Sequence, residues 1–552
     1  MSIIQPNGKI WLCKNVPLNP SMSDTLYFLS ESDRYNYFIN HSDISFTNVS
    51  YMRVQDGVIR LQVNPERVYN YNYMMFTNTG FSNRYFFAFI IGVKYINNVT
   101  TEITFKLDPM ITWFFDYHLK ECYVEREHTN NDSIGANIIP EGFSYNNYMV
   151  TKENSYILNR DETSYVLVLV SGLIDSGGVP SQPMPAVYAG TYCGLSAFIF
   201  DVSTQKGQID TLILNYFGEH SEMIVAMFSV PYALVQGANS AVNWHLDGGS
   251  SLRLNRVLNG YTPRNNKLYT YPFNKCTITD EHGTELDLAF EYFDDPTVAQ
   301  ITIQGLIIPT PEIVAAPSGY CGMTTDYNLS LVYNDFPKIA WASEYFKEWF
   351  NQNVSKINAS YTSNSVNSLG TMVSSVVSMG MAGAKIGTMS GSPIGTAGGA
   401  AIGAATGAIG SAMSIGASTI SQIANTEAEI NSQQKISNPV HGTLGSSNMV
   451  VAEQELWQIG FFQKCYPAQI LRSIDEYFDM FGYATKRVKV PNTWVRQRWT
   501  YTKTIGCEID GEIPAQDMET ICQIYDNGIR FWMGNADGSD VVGQFNLSNN
   551  VL

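Results

Sequence analysis

Positive charge is scarce in this chain. Its 552 residues carry 33 Lys and Arg against 50 Asp and Glu, a net charge of −17, and the isoelectric point lies near 4.9. That balance excludes a nucleic-acid binder whose affinity comes from neutralising phosphates, and it suits a wall past which DNA slides without sticking. Cysteine is sparse as well: eight residues, at 13, 122, 193, 276, 321, 465, 507 and 522, form no CxxC pair and no zinc spacing. Reduced, mostly buried thiols are expected, with no metal and no cofactor. The opening stretch "MSIIQPNGKIWLCKNVPLN" has neither the basic start nor the apolar core of a signal peptide, so synthesis and folding in a cytoplasm are expected. GxSxG elbows, HExxH pairs and P-loops are all missing.

What is present is β-pattern. A chain of 552 residues exceeds the size at which one core stops growing, and two to four domains are expected. Up to about residue 140 the pattern alternates and is aromatic. In "VSYMRVQDGVIRLQV" the Asp56-Gly57 pair reads as a hairpin turn, "NRYFFAFIIGVKYI" and "TTEITFKLD" continue the meander, and "ECYVEREH" reads as a further strand leaving the same sheet. The middle contains a second hairpin about His282-Gly283 and a strand, "VAQITIQGLIIP", closed by proline. Helical spacing then sets in: Ala342, Tyr345, Phe346 and Trp349/Phe350 recur on one face. Ile470, Leu471, Ile474, Phe478 and Phe481 define another helix stopped by Gly482, and "PAQDMETICQIYDNG" a last one between Pro514 and Gly528.

One tract breaks this pattern. Gly383, Gly387, Gly391, Gly395, Gly399, Gly403 and Gly407 recur every fourth residue, and from Ile357 to Thr426 the only charged side chain is Lys385. A flexible linker would carry solvating charge, whereas this tract holds Ile394, Ile402 and Ile409 among other apolar residues. In a helix each glycine costs about 1 kcal/mol relative to alanine, so a register of this kind needs an offsetting gain. Small residues four apart supply one by letting two backbones approach closely, the packing of small-xxx-small membrane helices. Bilayer insertion is marginal, because the isoleucines of the second half offer only about 3 kcal/mol in all and Lys385 costs about as much mid-bilayer. A loop kept out of lipid inside an assembly, entering it only on release, fits that marginality.

Chemistry is faint elsewhere. "EREH" puts Glu125 and Glu127 on one strand face and His128 on the other, a poor metal site and a good salt-bridged strand end. The acid groups Glu291, Asp294, Asp295 and Asp475, Glu476, Asp479 could serve glycoside hydrolysis only at a defined separation, and they read as solvated surface or helix-face charge. No catalytic residue is assigned. Lys486, Arg487, Lys489, Arg496 and Arg498 cluster beside two tryptophans, either as a nucleic-acid surface or as a basic subunit interface meeting acidic neighbours; the net charge favours the interface.

Three segments carry a family resemblance: "TWFFDYHLKECYVEREH" (Thr112 to His128), "YFDMFGYATKRVKVPN" (Tyr477 to Asn492) and "IYDNGIRFW" (Ile524 to Trp532). Together with the glycine tract they resemble the tail knob proteins of small short-tailed phages (podoviruses of the picovirus group) of Gram-positive bacteria. The resemblance weakens over roughly 150 to 335. It implies a mainly β fold with minor α, in which β-barrel or β-sandwich domains form a ring or tube and a long Gly/Ala-rich loop makes an excursion. The implied organisation is a β tube domain at 1–140, inserted β domains at 141–335, a helix at 336–359, the apolar plug loop at 360–430 and a C-terminal α+β segment at 431–552. It further implies a virion structural protein at the tail tip, made in the host cytoplasm and not an enzyme. Its partners would be its own copies in a hexamer, connector and lower collar proteins, DNA passing unbound through the lumen, and the host cytoplasmic membrane. A tail-associated cell-wall hydrolase or a receptor-binding protein is the alternative.

Overall fold

Alternation builds the first sheet. The computed structural model describes residues 8–49, 57–77, 84–158, 165–171, 181–183, 196–201, 224–235, 245–306, 310–338, 341–342, 345–362, 425–426, 428–437, 439–441 and 457–552, and the structural statements below concern those residues. Strands β1 (Gly8–Lys14), β3 (Ser42–Val49), β4 (Gly57–Leu61), β5 (Tyr71–Thr77), β6 (Tyr85–Asn97) and β7 (Thr100–Leu107) form a six-stranded antiparallel sheet in the order β3-β1-β5-β6-β7-β4. In β7, Thr101, Ile103, Phe105 and Leu107 are buried and their neighbours are not, the period-two pattern of a strand with one core face. β5 is central and buries Tyr71 and Tyr73–Thr77. Helix α1 (Glu31–Asn40) packs beside it, started by Ser30, whose hydroxyl accepts from the Asp33 N–H at 3.1 Å.

The expected meander holds for β6 and β7, which pair directly. The first arm of the Asp56-Gly57 hairpin lies outside the described residues; its second arm, β4, pairs with β7 at the far edge of the sheet from β3. "ECYVEREH" does not leave this sheet. As β9 (Cys122–Glu127) it sits in a five-stranded sheet ordered β2-β27-β25-β9-β24, with β2 (Asp24–Tyr27), β24 (Tyr483–Lys489), β25 (Trp499–Ile505) and β27 (Ile529–Met533). The C-terminal strands, not the N-terminal ones, supply its hydrogen-bond partners. A short ribbon, β8 (Tyr117–Leu119) with β26 (Ile509–Gly511), closes one end.

Three four-stranded sheets build the middle: β12-β13-β11-β14, β15-β18-β19-β20 and β10-β23-β16-β17. Their strands are β10 (Met149–Ile157), β11 (Tyr165–Ser171), β12 (Ser181–Pro183), β13 (Ser196–Asp201), β14 (Ile224–Pro231), β15 (His245–Arg253), β16 (Asn274–Thr279), β17 (Glu285–Leu288), β18 (Val298–Leu306), β19 (Glu312–Ser318), β20 (Leu331–Tyr333) and β23 (Gln458–Cys465). The expected β16–β17 hairpin forms about His282-Gly283, with Gly283 at φ 118° and the Asp280 carboxylate accepting from the N–H groups of His282 and Thr284, each at 2.9 Å.

Besides α1, helices α2 (Pro109–Thr112), α3 (Tyr345–Thr362), α4 (Ala468–Phe481) and α5 (Ala515–Asn527) are described. α3 starts later than its spacing predicts: Ala342 belongs to β21 (Trp341–Ala342), which pairs with β22 (Val440–His441), because a ladder with Val440 satisfies its backbone there. α4 and α5 end at Gly482 and Gly528 as expected, with φ of 63° and 90°. The glycines from Gly383 to Gly407, with Ile394, Ile402 and Ile409, lie outside the described residues. Among the described residues no helix is long and apolar enough to cross a membrane.

Burial divides into two cores. The first joins the six-stranded sheet to Trp499, Ile521, Tyr525, Phe531 and Trp532 from the far end of the chain. The second runs from Leu158 to Tyr483 and takes in Trp457, Phe461, Leu471 and Phe478. The stretch 431–552, read from sequence as one segment, thus divides its packing between both.

Candidate functional site

The two cores meet along a seam of buried charge, and α4 supplies its centre. Asp475 is fully buried and Asp479 nearly so, because positions four apart share the helix face turned inward beside Leu471 and Phe478. Both carboxylate oxygens of Asp475 are engaged. One accepts from the N–H and side-chain amide of Asn265 at 3.1 and 2.8 Å, the other from the Tyr261 hydroxyl at 2.6 Å and the Arg264 N–H at 2.8 Å. Asp479 accepts from the Asn265 amide at 2.8 Å and pairs with Arg264 Nη2 at 2.5 Å. The expectation of solvated helix-face charge fails for this pair, since a buried loop of donors at 261–265 takes the place of water. It holds for Glu476, and for Asp294 and Asp295 at a turn, all exposed. Burial pushes the Asp479 carboxyl up to about 6 even beside Arg264.

On the other side of the seam, His128 is buried at the end of β9. Its Nδ1 accepts from the Tyr501 N–H at 2.7 Å and its Nε2 meets the Asp479 carbonyl oxygen at 3.1 Å, which fixes a neutral ring with the proton on Nε2. Burial first, and Arg496 next, hold its pKa well below the usual imidazole range. Glu127 is likewise buried and accepts from Lys489 at 2.6 Å and the Asn492 N–H at 2.9 Å, while Glu125 pairs with Lys503 at 2.8 Å. "EREH" is therefore a salt-bridged strand end. Glu141 binds Arg126, Lys267 (2.5 Å) and the Ala484 N–H (2.8 Å), and Asp132 accepts from the Tyr483 hydroxyl at 2.5 Å. Among the described residues each of these groups has a partner within the protein, Asp479 Oδ2 through its ion pair with Arg264 alone. Among the described residues no group of three or more His, Cys, Asp or Glu is placed to hold a metal ion.

The basic stretch divides. Lys489 is spent on Glu127; Arg496 is buried and donates to the Asn549 carbonyl at 3.3 Å; Arg498 Nε donates to the Ser548 carbonyl at 3.0 Å. Lys486 and Arg487 are exposed on β24, at a register shift where that strand bulges, with Lys486 at φ 44°. β24 is the edge of its sheet. Beside these two cations lies a row that the sequence reading missed. Tyr123 on β9 is paired with Val488 on β24 and with Ile505 on β25, so the three share one face, and they are 38%, 66% and 57% exposed. The signal was available in three apolar residues at outward positions of three strands, but it needs the pairing of β9 with distant strands to become a row. Among the described residues this exposed apolar row lies beside a strand edge with no ladder partner and two cations with no ion-pair partner.

The affiliation follows from comparison with known families. The family model described as the C-terminal domain of tail knob protein gp9 of Bacillus phage phi29 matches residues 236–550. The chain belongs to this tail knob family. The match includes α4, β24 and β25, and it reaches across 236–335, where the resemblance of the sequence had weakened. The model of the caudoviral major tail protein N-terminus matches 6–118, the six-stranded sheet. Over its whole length the chain is similar to tail knob protein gp9 of Bacillus phage phi29 (24% identity, 97% of each chain covered) and of Bacillus phage B103 (23%, again 97% of each). Among solved structures it shares its fold with the bacteriophage C1 tail knob protein gp12, at TM-score 0.62 and 15% identity over 99% of this chain and 100% of that one. The mainly β fold and the place in the virion tail are thus established. The named relatives are all tail knob proteins.

Proposed function

We propose that this tail knob chain forms the distal tail tube through which phage DNA leaves the particle, as a closed ring of copies, six by family resemblance, with the loop at 360–430 plugging the bore and then engaging the host cytoplasmic membrane. The observation that carries the reading is the stalk below that loop. Trp341 and Ala342 pair with His441 and Val440, and Lys356 on α3 lies 3.7 Å from Glu429, so the chain leaves for the glycine tract and returns from it at adjoining points. An excursion with a closed base can be withdrawn or extended without disturbing either core. The acid balance of −17 supports a bore that does not hold DNA.

Lys486, Arg487 and the Tyr123–Val488–Ile505 row supply the contact between copies, the cations meeting an acidic neighbour. The six-stranded sheet at 8–107 lines the tube, and the other end of the ring docks on the connector and lower collar. A cell-wall hydrolase draws no support from Asp475 and Asp479, whose oxygens are engaged, and purified protein is expected to release no fragments from host peptidoglycan. Mass photometry of the purified chain at micromolar concentration tests assembly: a discrete closed oligomer supports the tube, and a monomer in every condition, including with connector protein added, contradicts it.

A further inference from the structure

Three of the cysteines converge on one point, and the fold shows how. Cys122 opens β9, Cys507 lies in the turn between β25 and β26, and Cys522 lies on α5. The turn is clamped to the helix by Asp526, whose carboxylate accepts from the Thr504 hydroxyl at 2.8 Å, the Gly506 N–H at 3.2 Å and the Cys507 N–H at 3.0 Å. Asp526 stands four residues after Cys522, so both project from the same face of α5, and a turn held by one is laid against the other. From the other side, Leu119 pairs with Ile509 and the Lys120 N–H donates to the Glu508 carbonyl at 2.9 Å, which brings Cys507 beside Cys122. The Asp526 clamp and the β8–β26 pairing thereby set Cys507 between Cys522 and Cys122. All three are free; Cys122 and Cys507 are buried, and Cys522 is half-buried and open to solvent.

We propose that Cys507 and Cys522 are a disulfide site, reduced while the chain is made and closed after the particle reaches an oxidising medium. A virion protein passes between these two environments by its nature, and low-molecular-weight disulfides and thiols set the poise in each. The reaction needs one such disulfide, RSSR. The Cys522 sulfur, having lost its proton, attacks one sulfur of RSSR and expels RS⁻, leaving a mixed disulfide on Cys522. The Cys507 sulfur, deprotonated in turn, attacks Cys522 Sγ and expels the second RS⁻. The two protons end on the leaving thiolates, so two thiols and RSSR give one protein disulfide and two RSH, the cysteine pair losing the two electrons that RSSR gains. Burial pushes the thiols up, Cys507 most, with the neighbouring cysteines and then the acid Asp526 adding to it. Thiolate is therefore scarce at neutral pH and exchange is slow.

The test uses the full chain and oxidised glutathione. Wild-type protein is incubated with it for hours to days, then denatured, alkylated and mapped by mass spectrometry under non-reducing conditions. The site predicts a peptide pair joined through Cys507 and Cys522, a mass about 2 Da lower than the sum of the reduced peptides, and loss of alkylation at those two positions with no glutathione added to either. Exposed Cys321 serves as the internal control, since it takes up glutathione as a mixed disulfide. C507S is expected to leave Cys522 as a glutathione adduct or a free thiol. The proposal is overturned if Cys321 is fully modified while Cys507 and Cys522 stay alkylatable, or if Cys507 is found joined to Cys122 instead. The wild-type map decides even if C507S folds poorly.

Discussion

The indole Nε1 of Trp499 donates to the main-chain carbonyl oxygen of Asp479 at 2.5 Å. Trp499 is a fully buried member of the first core, its ring 5.1 Å from that of Trp532, and Asp479 sits on the helix that fills the second. The same carbonyl receives His128. One oxygen at the end of α4 thus ties a core drawn from both ends of the chain to a core drawn from its middle.

The two parts of that tie are separable by substitution. Trp499→Phe keeps an aromatic ring and loses the donor, so a cost of about 1–2 kcal/mol is expected; Trp499→Ala also empties the core and is expected to cost about 3–5 kcal/mol. Denaturant unfolding followed by tryptophan fluorescence measures both. Equal costs would show that the indole hydrogen bond, not the ring, carries the contribution of Trp499.

Acid should act on the seam through groups of opposite sign. His128 has a depressed folded pKa, so its contribution is present above about 6.5 and is lost as pH falls, by up to about 1.4 kcal/mol per unit. Asp479 has a raised one, about 6 against 3.8, so its contribution is full below 3.8 and is lost as pH rises through about 6. Between pH 6 and 4 the two oppose. Asp479→Asn removes one of the opposing carboxyls, burial-raised Asp132 being the other in the seam, and should steepen the fall in stability below pH 6.5; His128→Gln should reverse it, the variant gaining stability from pH 6 to 4. Denaturation midpoints at half-unit intervals check both, and parallel profiles would contradict the assignment.

Two helix stops differ in what blocks a side chain. A Cβ at Gly482 would lie 2.2 Å from the Glu127 carbonyl oxygen and 2.5 Å from the His128 nitrogen, both backbone. At Gly528 the nearest atom is the Tyr501 hydroxyl, at 2.2 Å, the end of a side chain. Both glycines have positive φ. Gly482→Ala is expected to cost more than the ~1–3 kcal/mol of backbone strain alone, and Gly528→Ala close to that figure. Thermal midpoints of the two variants rank them; the reverse order would contradict the close packing of α4 on β9.

Val488→Asp with Ile505→Asp breaks the exposed row without touching either core. Each change is on the surface, so monomer stability should shift by no more than about 0.5 kcal/mol per site, while the oligomer should dissociate. Lys486→Glu with Arg487→Glu should weaken assembly as well, with a salt dependence that the aspartate pair lacks. Size-exclusion chromatography at two ionic strengths separates these outcomes. Unchanged oligomers in both double variants would remove this face from the contact between copies.

Local pattern was legible and long-range pairing was not. β6, β7, the β16–β17 hairpin, α4 and α5 follow from spacing and from Gly482, Gly528 and His282-Gly283, because neighbours in sequence determine them. The partners of β9 lie more than 350 residues away on β24 and β25, and no local rule ranks such pairings, so "ECYVEREH" was assigned to the wrong sheet. Asp475 and Asp479 were misjudged for the same reason. On a helix face they are indistinguishable from solvated acids such as Glu476, and only the arrival of Tyr261, Arg264 and Asn265 makes them internal. Of the five basic residues, sequence could not separate Lys486 and Arg487, which remain exposed, from Lys489, Arg496 and Arg498, which bind the chain's own oxygens.

The central claim concerns the glycine tract, and dye leakage from liposomes tests it most directly. Assembled protein is expected to leave liposomes intact and to release trapped dye once mild acid or limited heating frees the loop. Replacing Gly395, Gly399, Gly403 and Gly407 by leucine should abolish release by holding backbones apart, alanine should be tolerated far better, and deletion of residues 363–424 should leave the oligomer intact and the dye trapped. Leakage that persists undiminished in the deletion would show that the tract is not the membrane element.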